Sequence, residues 1–290
     1  MLTPQNSYSN PSSAAGLGLI GLNENDIAVD YGCMLFDSFV YVSRLCRKIV
    51  GIIPSSEKLK TFQNRIVKED VKNYDLVNAN YNEQHFNEVF DCVIINSFLE
   101  QLIIEIKHGK TIFFDSKIRD KKKDNSSEKI RTQFLETACN GLRPGGKLYL
   151  SYANKLRIRT LLLFIKIEIS SFFSPFSLKK ALSFISLPNT IRLFFYYLLS
   201  QKGFEKLLKT YGLVDIEKYA VFPNHKYPLK IIPLNKLDEC SFEPVQYLYR
   251  NGSLRRISAR VKRIVDRILF NKFKLFGLSP SFIITARKVS

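Results

Sequence analysis

From Ile27 onward, short apolar runs alternate with longer segments of mixed polarity. This alternation predicts a parallel β-sheet whose strands are joined by crossover helices. The first, second and fourth predicted strands are almost continuously apolar, which is typical of strands covered on both faces. The predicted strands are Ile27–Tyr31, Lys48–Ile53, Tyr74–Ala79, Phe90–Asn96 and Lys147–Tyr152, and the segments of helical length between them are Phe36–Cys46, Ser55–Phe62, Phe98–Lys107 and Glu128–Leu142.

After Tyr152 the pattern changes to a Phe-, Leu- and Ser-rich basic stretch, which we interpret as an insertion. A helix is predicted again at Gly203–Tyr211, followed by strands at Leu213–Phe222 and Ser281–Lys288. The chain therefore divides into a flexible lead-in (1–24), a core (25–154), a basic aromatic insertion (155–202) and a C-terminal part of the sheet (203–290). The insertion is either a membrane-facing element or a lid or dimerisation element that covers a pocket.

Charge is distributed unevenly along the chain. Residues 1–150 hold 19 Lys and Arg against 18 Asp and Glu, whereas residues 151–290 hold 25 against 8. The excess in the second half indicates an anionic partner, such as a membrane face, nucleic acid or a phosphorylated substrate. Nucleic acid is disfavoured, because the aromatic residues of this half cluster with other apolar residues and few polar side chains suit base edges.

Segment 254–273 has apolar residues at the spacing of one helix face, and four arginines on another face, namely Arg256, Arg260, Arg263 and Arg267. Such an amphipathic helix either lies on anionic lipid or docks on the domain by its apolar side. The most apolar stretch of the chain, Leu161–Leu199, is interrupted by charged residues and is not expected to span a membrane.

Five scattered cysteines without a C-x-x-C pair suggest neither a disulfide framework nor a zinc site, so no metal is expected. The first basic residue is Arg44, and we therefore expect no signal or transit peptide. Together these features predict a cytoplasmic protein, with peripheral membrane attachment as an extension of that prediction.

The segment that carries chemistry is Ile27-Ala-Val-Asp30-Tyr31-Gly32-Cys33, a strand that ends in a glycine turn before a helix. Such a turn lets the backbone approach a nucleotide-like ligand at the carboxyl ends of the strands. The segment resembles the first motif of class I S-adenosylmethionine-dependent methyltransferases, commonly D-x-G-C-G-x-G. The resemblance implies a Rossmann-like α/β fold with a seven-stranded sheet and helices on both faces, and S-adenosylmethionine as cofactor.

Later segments follow in the order that this family requires. Lys48-Ile-Val-Gly-Ile-Ile-Pro-Ser-Ser is similar to the second strand (V-x-G-I-D-x-S), and Phe90-Asp-Cys-Val-Ile-Ile-Asn-Ser-Phe-Leu-Glu-Gln to the fourth strand and its turn. Leu142-Arg-Pro-Gly-Gly resembles the L-x-P-G-G turn into the fifth strand. The resemblance covers residues 25–152 well and 203–288 loosely. It implies cofactor contacts from Asp30, Tyr31, Gly32, Cys33, Ile53, Asn80 and Asn96.

The chain also departs from the family pattern. Met34 and Phe36 stand where the first motif has further glycines, and Ile53 stands where an acidic residue accepts hydrogen bonds from the ribose. The acid expected after the third strand appears as Asn78 or Asn80. Loss of one charge-assisted hydrogen bond, worth about 1.5–3 kcal/mol, weakens a ligand by about one to two powers of ten.

The reaction implied by the resemblance is an in-line displacement at a sulfonium methyl group, in which proximity and alignment dominate and a base serves only hydroxyl acceptors. The candidates for the catalytic groups are Glu100, Tyr152 and His225, with Asn154 also near the expected mouth. His225 lies in a Pro-bounded loop after a predicted strand. The same residue is also compatible with a plain solvated loop.

Gly16-Leu-Gly-Leu-Ile-Gly21 matches G-x-G-x-x-G, but it follows a polar tail instead of a strand, so we interpret it as a lead-in to the first strand. Three functions stay open from the sequence. The first is a methyltransferase acting on a hydroxyl of a small lipid-linked or glycan-type acceptor, a choice that rests on the basic apolar second half and a loose resemblance of Tyr219–Leu234 to methyltransferases of cell-surface glycan pathways. The second is a scaffold that keeps the fold without the cofactor site, and the third is an RNA or DNA methyltransferase.

Overall fold

The computed structural model describes residues 14–33, 35–79, 86–99, 126–154, 201–222, 224, 226–235, 279 and 281–290. The strands are β1 (Ile27–Tyr31), β2 (Lys48–Ile52), β3 (Tyr74–Val77), β4 (Phe90–Asn96), β5 (Leu142–Ala153), β6 (Leu213–Phe222), β7 (Lys230–Pro233) and β8 (Ser281–Lys288). The helices are α1 (Phe36–Ser43), α2 (Ser56–Lys68), α3 (Ser126–Asn140) and α4 (Gln201–Thr210), and a 3₁₀ turn spans Leu17–Ile20.

All eight strands belong to one mixed sheet with the order β3-β2-β1-β4-β5-β8-β6-β7. Strands β1 to β5 are parallel, and β8 is inserted antiparallel between β5 and β6. The carboxyl ends of β1, β2, β4, β5 and β6 therefore share one edge of the sheet. The chain reverses its direction of winding between β1 and β4, and open α/β sheets bind their ligands at such a switch point.

The predicted α/β sheet is confirmed, but the predicted number of seven strands is one short. The additional strand is β7, which pairs antiparallel with β6 from Tyr219 opposite Pro233 to Phe222 opposite Lys230. It has only four residues and ends in a proline, so its sequence has the pattern of a loop. An edge position tolerates this proline, because one side of an edge strand has no neighbour to receive an N–H group.

Two apolar layers cover the two faces of the sheet, because side chains alternate along each strand. Face A joins Val29, Val93 and Leu150 to α3 and α4 through residues such as Phe134 and Leu208. Face B joins Ala28, Ile94 and Tyr149 to α1 and α2 through residues such as Phe39 and Phe62. Helices on both faces were expected from the apolar strands.

The N-terminal segment also packs on face B. Leu17 and Ile20 are buried, and a Cβ on Gly16 would meet the Tyr149 hydroxyl and Ile283. The Lys147 ammonium donates to the Gly21 carbonyl over 2.6 Å. The stretch Gly16–Gly21 thus covers the sheet ahead of β1, and its 3₁₀ turn is the first element of the described residues.

Residues 155–200 of the predicted insertion and the amphipathic segment 254–273 lie outside the described residues, and the last two residues of the predicted insertion, Gln201 and Lys202, begin α4. Within the described part of the chain, no helix is both long enough and apolar enough to cross a membrane. The same residues contain no cluster of side chains suited to a metal ion.

Candidate active site

The turn after β1 is built for a close backbone approach. Gly32 has a φ of +91° and Cys33 one of +45°, so two successive residues adopt left-handed conformations. The Gly32 N–H donates to the Ile52 carbonyl over 2.9 Å, which fixes the turn to the end of β2. A Cβ on Gly32 would lie 2.9 Å from Cγ of Phe98, so glycine is required by space as well as by φ.

Asp30 contributes a buried carboxyl group at this edge. It is 2% exposed and lies between Gly51 of β2 and Ile94 of β4. Its Oδ1 has no hydrogen-bond partner among the described residues. Burial raises the pKa of this carboxyl well above its usual range, and a hydrogen bond from the Cys33 backbone opposes that shift. The site therefore favours a neutral carboxyl unless a cation or a further donor approaches Oδ1.

A buried polar network lies on the next strands along the same edge. The Asn96 amide nitrogen donates to the Ser38 hydroxyl over 3.1 Å, and the Ser151 hydroxyl donates to the Asn96 amide oxygen. The network joins α1, β4 and β5 at their ends facing the site. Both ends of the Asn96 amide are thus engaged by the protein, and this residue, predicted as a cofactor contact, positions α1 against β4.

Ser97 continues this network with a strained backbone. Its φ is +62°, and its N–H donates to the Ser151 hydroxyl over 3.3 Å and to the Ser151 carbonyl over 3.2 Å. Its own hydroxyl is buried, with the residue 3% exposed, and has no hydrogen-bond partner in the described ranges. Strained residues and unpaired buried polar groups concentrate at functional sites.

Ser38, Ser97 and Ser151 were not predicted from the sequence as site residues. A signal was present in two of them, because Ser151 interrupts the apolar run of β5 and Ser38 falls among the apolar residues of α1. Polar residues at buried positions require partners. The partners are 58 and 55 residues away along the chain from Asn96.

Ile53 and Phe36 occupy positions where the family pattern has an acid and a glycine. Ile53 is 2% exposed within the face B layer, and its N–H donates to the Val77 carbonyl over 2.9 Å. Phe36 packs edge-on against Phe62, and the Arg65 guanidinium lies 3.9 Å from the centre of its ring. Apolar packing thus replaces polar contacts at the end of β2.

The end of β2 is held by a neighbouring amide. In its favoured orientation the Asn78 amide nitrogen donates to the carbonyls of Ile53, over 3.1 Å, and Pro54, over 3.2 Å. Asn78 was one of two positions expected near an adenine group. The structure gives it these backbone partners, and the expected contact with adenine stays a prediction.

The two tyrosines predicted at the site lie on face A, opposite Asp30. Tyr31 packs edge-on against Phe134, with ring centres 5.3 Å apart. Tyr152 packs on Phe204 and Phe282, and burial raises the pKa of its hydroxyl. Alternation along the strands produces this separation.

The structure therefore brings Asp30, Cys33, Ile53 and Asn96 together on face B at the carboxyl edge, near the Gly32 turn. Asn154, at the end of β5, donates through its amide to the Ser279 carbonyl over 2.7 Å. The predicted residues Met34, Asn80, Glu100 and His225 lie outside the described residues.

Solved structures with a similar fold include methyltransferases. One belongs to a complex of a Haloferax volcanii methyltransferase activator with a methyltransferase, at 12% identity and a TM-score of 0.51, with 96% of this chain and 90% of that chain covered. At this identity the likeness shows the fold alone. The chain accordingly has the fold of methyltransferases.

Two further structures have TM-scores just below one half. Haemonchus contortus phosphoethanolamine N-methyltransferase 2, crystallised with phosphomonomethylethanolamine and S-adenosylhomocysteine, is 14% identical with a TM-score of 0.49 and coverages of 96% and 52%. This chain thus spans about half of that enzyme's length. A methyltransferase from Bacillus halodurans is 14% identical, with a TM-score of 0.48 and coverages of 96% and 99%. No protein-family model and no curated protein matches the sequence.

Proposed function

We propose that this chain is an S-adenosylmethionine-dependent methyltransferase. The observation that carries the proposal is the buried Asp30 carboxyl, whose Oδ1 lacks a partner among the described residues beside the left-handed Gly32 turn. It lies at the switch point of a methyltransferase fold, where such sheets bind ligands.

The residues fit one half of the cofactor well. S-Adenosylmethionine carries an ammonium group, and a buried carboxylate oxygen without a donor is a suitable acceptor for it. The Gly32 turn offers main chain without a side chain of its own, and on the side of the missing Cβ it packs against the Phe98 ring. The part of the site expected to hold the ribose has no carboxylate, because Ile53, the residue at that position, is apolar and buried. We therefore expect weaker binding than a site with both acids would give.

The cofactor, when bound, supplies an electrophilic methyl group on a sulfonium. This chain contributes by holding and orienting the cofactor. Asp30 binds the ammonium group, Gly32 allows the close approach, and the Ser38–Asn96–Ser151 network fixes α1 and β4 relative to one another. Alignment of this kind supplies most of the acceleration in an in-line displacement.

The proposed acceptor is a hydroxyl of a small lipid-linked or glycan-type molecule, reached from the cytoplasmic face of a membrane. The basic, apolar second half of the chain supports this choice. His225, Glu100 and Tyr152 are the proposed bases. Burial disfavours the ionised form of Tyr152, so His225 and Glu100 are the stronger candidates among the three.

Titration calorimetry with S-adenosylmethionine and S-adenosylhomocysteine tests the proposal. Asp30→Asn removes the charge with little change of shape and should weaken binding about ten- to hundredfold. Asp75→Asn is the matched control, because Asp75 is an exposed aspartate on β3 that forms an ion pair with Lys48 of β2. No binding at millimolar ligand, or equal binding by both variants and the parent protein, would contradict the proposal.

A second function, a non-catalytic scaffold, is favoured by the packing of Ile53 and Phe36 in the face B layer. A scaffold uses the sheet to present the basic half to a partner and needs no cofactor. Methyl transfer to any acceptor excludes it. The absence of S-adenosylmethionine binding in a folded protein supports it.

A further inference from the structure

The turn between β6 and β7 carries two large apolar side chains into solvent. Tyr227 is 48% exposed and Leu229 is 47% exposed, while Pro228 between them is buried. We define the turn tip as Lys226, Tyr227, Pro228 and Leu229. Exposed apolar side chains of this size, paired on one short turn, indicate a contact surface.

The charge around the turn tip has one sign. Lys226 precedes the apolar pair and Lys230 follows it, and no Asp or Glu occurs anywhere from residue 218 to residue 237. Tyrosine and lysine suit the boundary between lipid headgroups and acyl chains, where an aromatic ring has an apolar body and a wet hydroxyl and a lysine ammonium meets phosphate. The charge of this stretch is therefore complementary to an anionic bilayer.

The backbone N–H groups of the turn tip are all hydrogen-bonded within the protein. The N–H groups of Lys226 and Tyr227 both donate to the Asn224 side-chain oxygen over 3.0 Å. The Leu229 N–H donates to the Phe222 carbonyl over 2.8 Å, and Pro228 has no N–H. Every N–H group of the tip thus has a partner inside the protein. A segment that moves toward the acyl chains meets less water, so N–H groups already bonded within the protein lower the cost of entry.

The position of the turn in the fold also supports contact with a membrane. It follows the carboxyl end of β6. Strand β6 runs in the same direction as β1, because β5 and β6 both lie antiparallel to β8, and β5 is parallel to β4, which is parallel to β1. The turn tip therefore projects from the edge of the sheet that carries Asp30. Contact of the tip with a bilayer would bring the candidate active site toward the lipid surface.

We propose that the turn tip Lys226–Leu229 inserts into the headgroup region of an anionic membrane, with Tyr227 and Leu229 as anchors and the flanking lysines bound to lipid phosphates. This inference rests on the proposed attachment to a membrane and names the surface that makes it. It does not depend on methyl transfer.

The chain contains no tryptophan, so a single introduced tryptophan is a clean fluorescent reporter. Tyr227→Trp in the full chain should show a blue-shifted emission on addition of phosphatidylcholine vesicles that contain phosphatidylglycerol, and no shift with phosphatidylcholine alone. Val67→Trp is the matched control, because Val67 is an apolar residue 73% exposed on α2. This control should not shift with either vesicle.

Cosedimentation with the same vesicles gives the affinity. The double substitution Tyr227→Ser with Leu229→Ser should weaken partitioning about tenfold. Lys226→Glu should weaken it by about fivefold or more, whereas Lys60→Glu on the exposed face of α2 should change it less. All the substituted residues are exposed, and circular dichroism of each variant checks that it folds.

Cosedimentation without a shift of the Tyr227→Trp reporter overturns the role of the turn tip and leaves attachment to another surface. The absence of both overturns attachment as well. A shift with single-stranded RNA but not with anionic vesicles also overturns the proposal, in favour of a nucleic-acid partner. The calorimetric titration with S-adenosylmethionine, made on the same protein, separates a failure of lipid contact from a failure of cofactor binding.

Discussion

The Asn96 amide nitrogen donates to the Ser38 hydroxyl over 3.1 Å, and this buried hydrogen bond ties the end of β4 to the first turn of α1. A change at either residue is therefore expected to affect both the stability of the fold and the geometry of the candidate site.

Asn96→Ala should lower the free energy of unfolding by about 1–3 kcal/mol, because it removes the buried amide that bonds both the Ser38 and the Ser151 hydroxyl. Urea unfolding measures this loss. A double-mutant cycle with Ser38→Ala isolates the bond between the two residues and should give a coupling of about 1 kcal/mol. Strict additivity of the two substitutions would show that the bond contributes nothing.

Asp30→Asn should stabilise the protein in the absence of ligand, although it weakens cofactor binding. The folded-state pKa of Asp30 is raised above its model-compound value of 3.8, mainly because burial disfavours the charged form. Its stabilising contribution is therefore complete below that value and is lost as the pH rises through the raised pKa. The gain in unfolding free energy from Asp30→Asn should grow over this range of pH.

Urea midpoints of the parent protein and the Asp30→Asn variant, compared from pH 4 upward, check this expectation. Asp75→Asn serves as the control and should show no comparable trend, because Asp75 is exposed. A difference between parent and Asp30→Asn that is constant with pH would be inconsistent with a buried carboxyl of raised pKa.

Gly32→Ala should be destabilising by about 2 kcal/mol or more, since it combines a left-handed backbone with a clash against the Phe98 ring. Gly18→Ala is the matched control, because no atom lies within 4 Å of the added Cβ and its φ is not left-handed. The thermal midpoint should fall for Gly32→Ala and hardly change for Gly18→Ala. Equal midpoints would mean that the turn adopts another conformation.

Glu205 should contribute a small, pH-dependent part of the stability. Hydrogen bonds with Lys209, over 2.8 Å, and Lys218, over 2.7 Å, lower its pKa to about 2 from a model-compound value of 4.5. The contribution is present above pH 4.5 and is lost as the pH falls through about 2. Because Glu205 and its two lysine partners lie close to solvent, we expect Glu205→Gln to cost about 0.5 kcal/mol of unfolding free energy at neutral pH.

Chemical unfolding at neutral pH and near pH 2 measures that difference, and the cost of Glu205→Gln should shrink at the acidic end. Glu24→Gln, at an exposed position before β1, controls for general charge effects. High salt screens the ion pairs of Glu205, so it should also reduce the cost of Glu205→Gln at neutral pH.

The pattern of apolar residues was enough to predict most of the sheet. Strands β1, β4, β6 and β8 have the predicted bounds, because each is an apolar or alternating run that a buried strand requires. Boundaries failed where local patterns are ambiguous. Helix α2 extends to Lys68, beyond the predicted end at Phe62, since Ile66 adds one more buried turn to a polar segment.

The sequence alone also determined the Asp30–Gly32 turn, since a buried strand that ends in an acid and a glycine has few other structures open to it. Only the tertiary structure decided which side chains share a face. Strand register placed Tyr31 and Tyr152 opposite Asp30, and it brought Ser38, Asn96 and Ser151 into one network. These contacts join residues more than fifty positions apart, and hydrophobic periodicity carries no information about which distant polar groups will pair when a sheet closes.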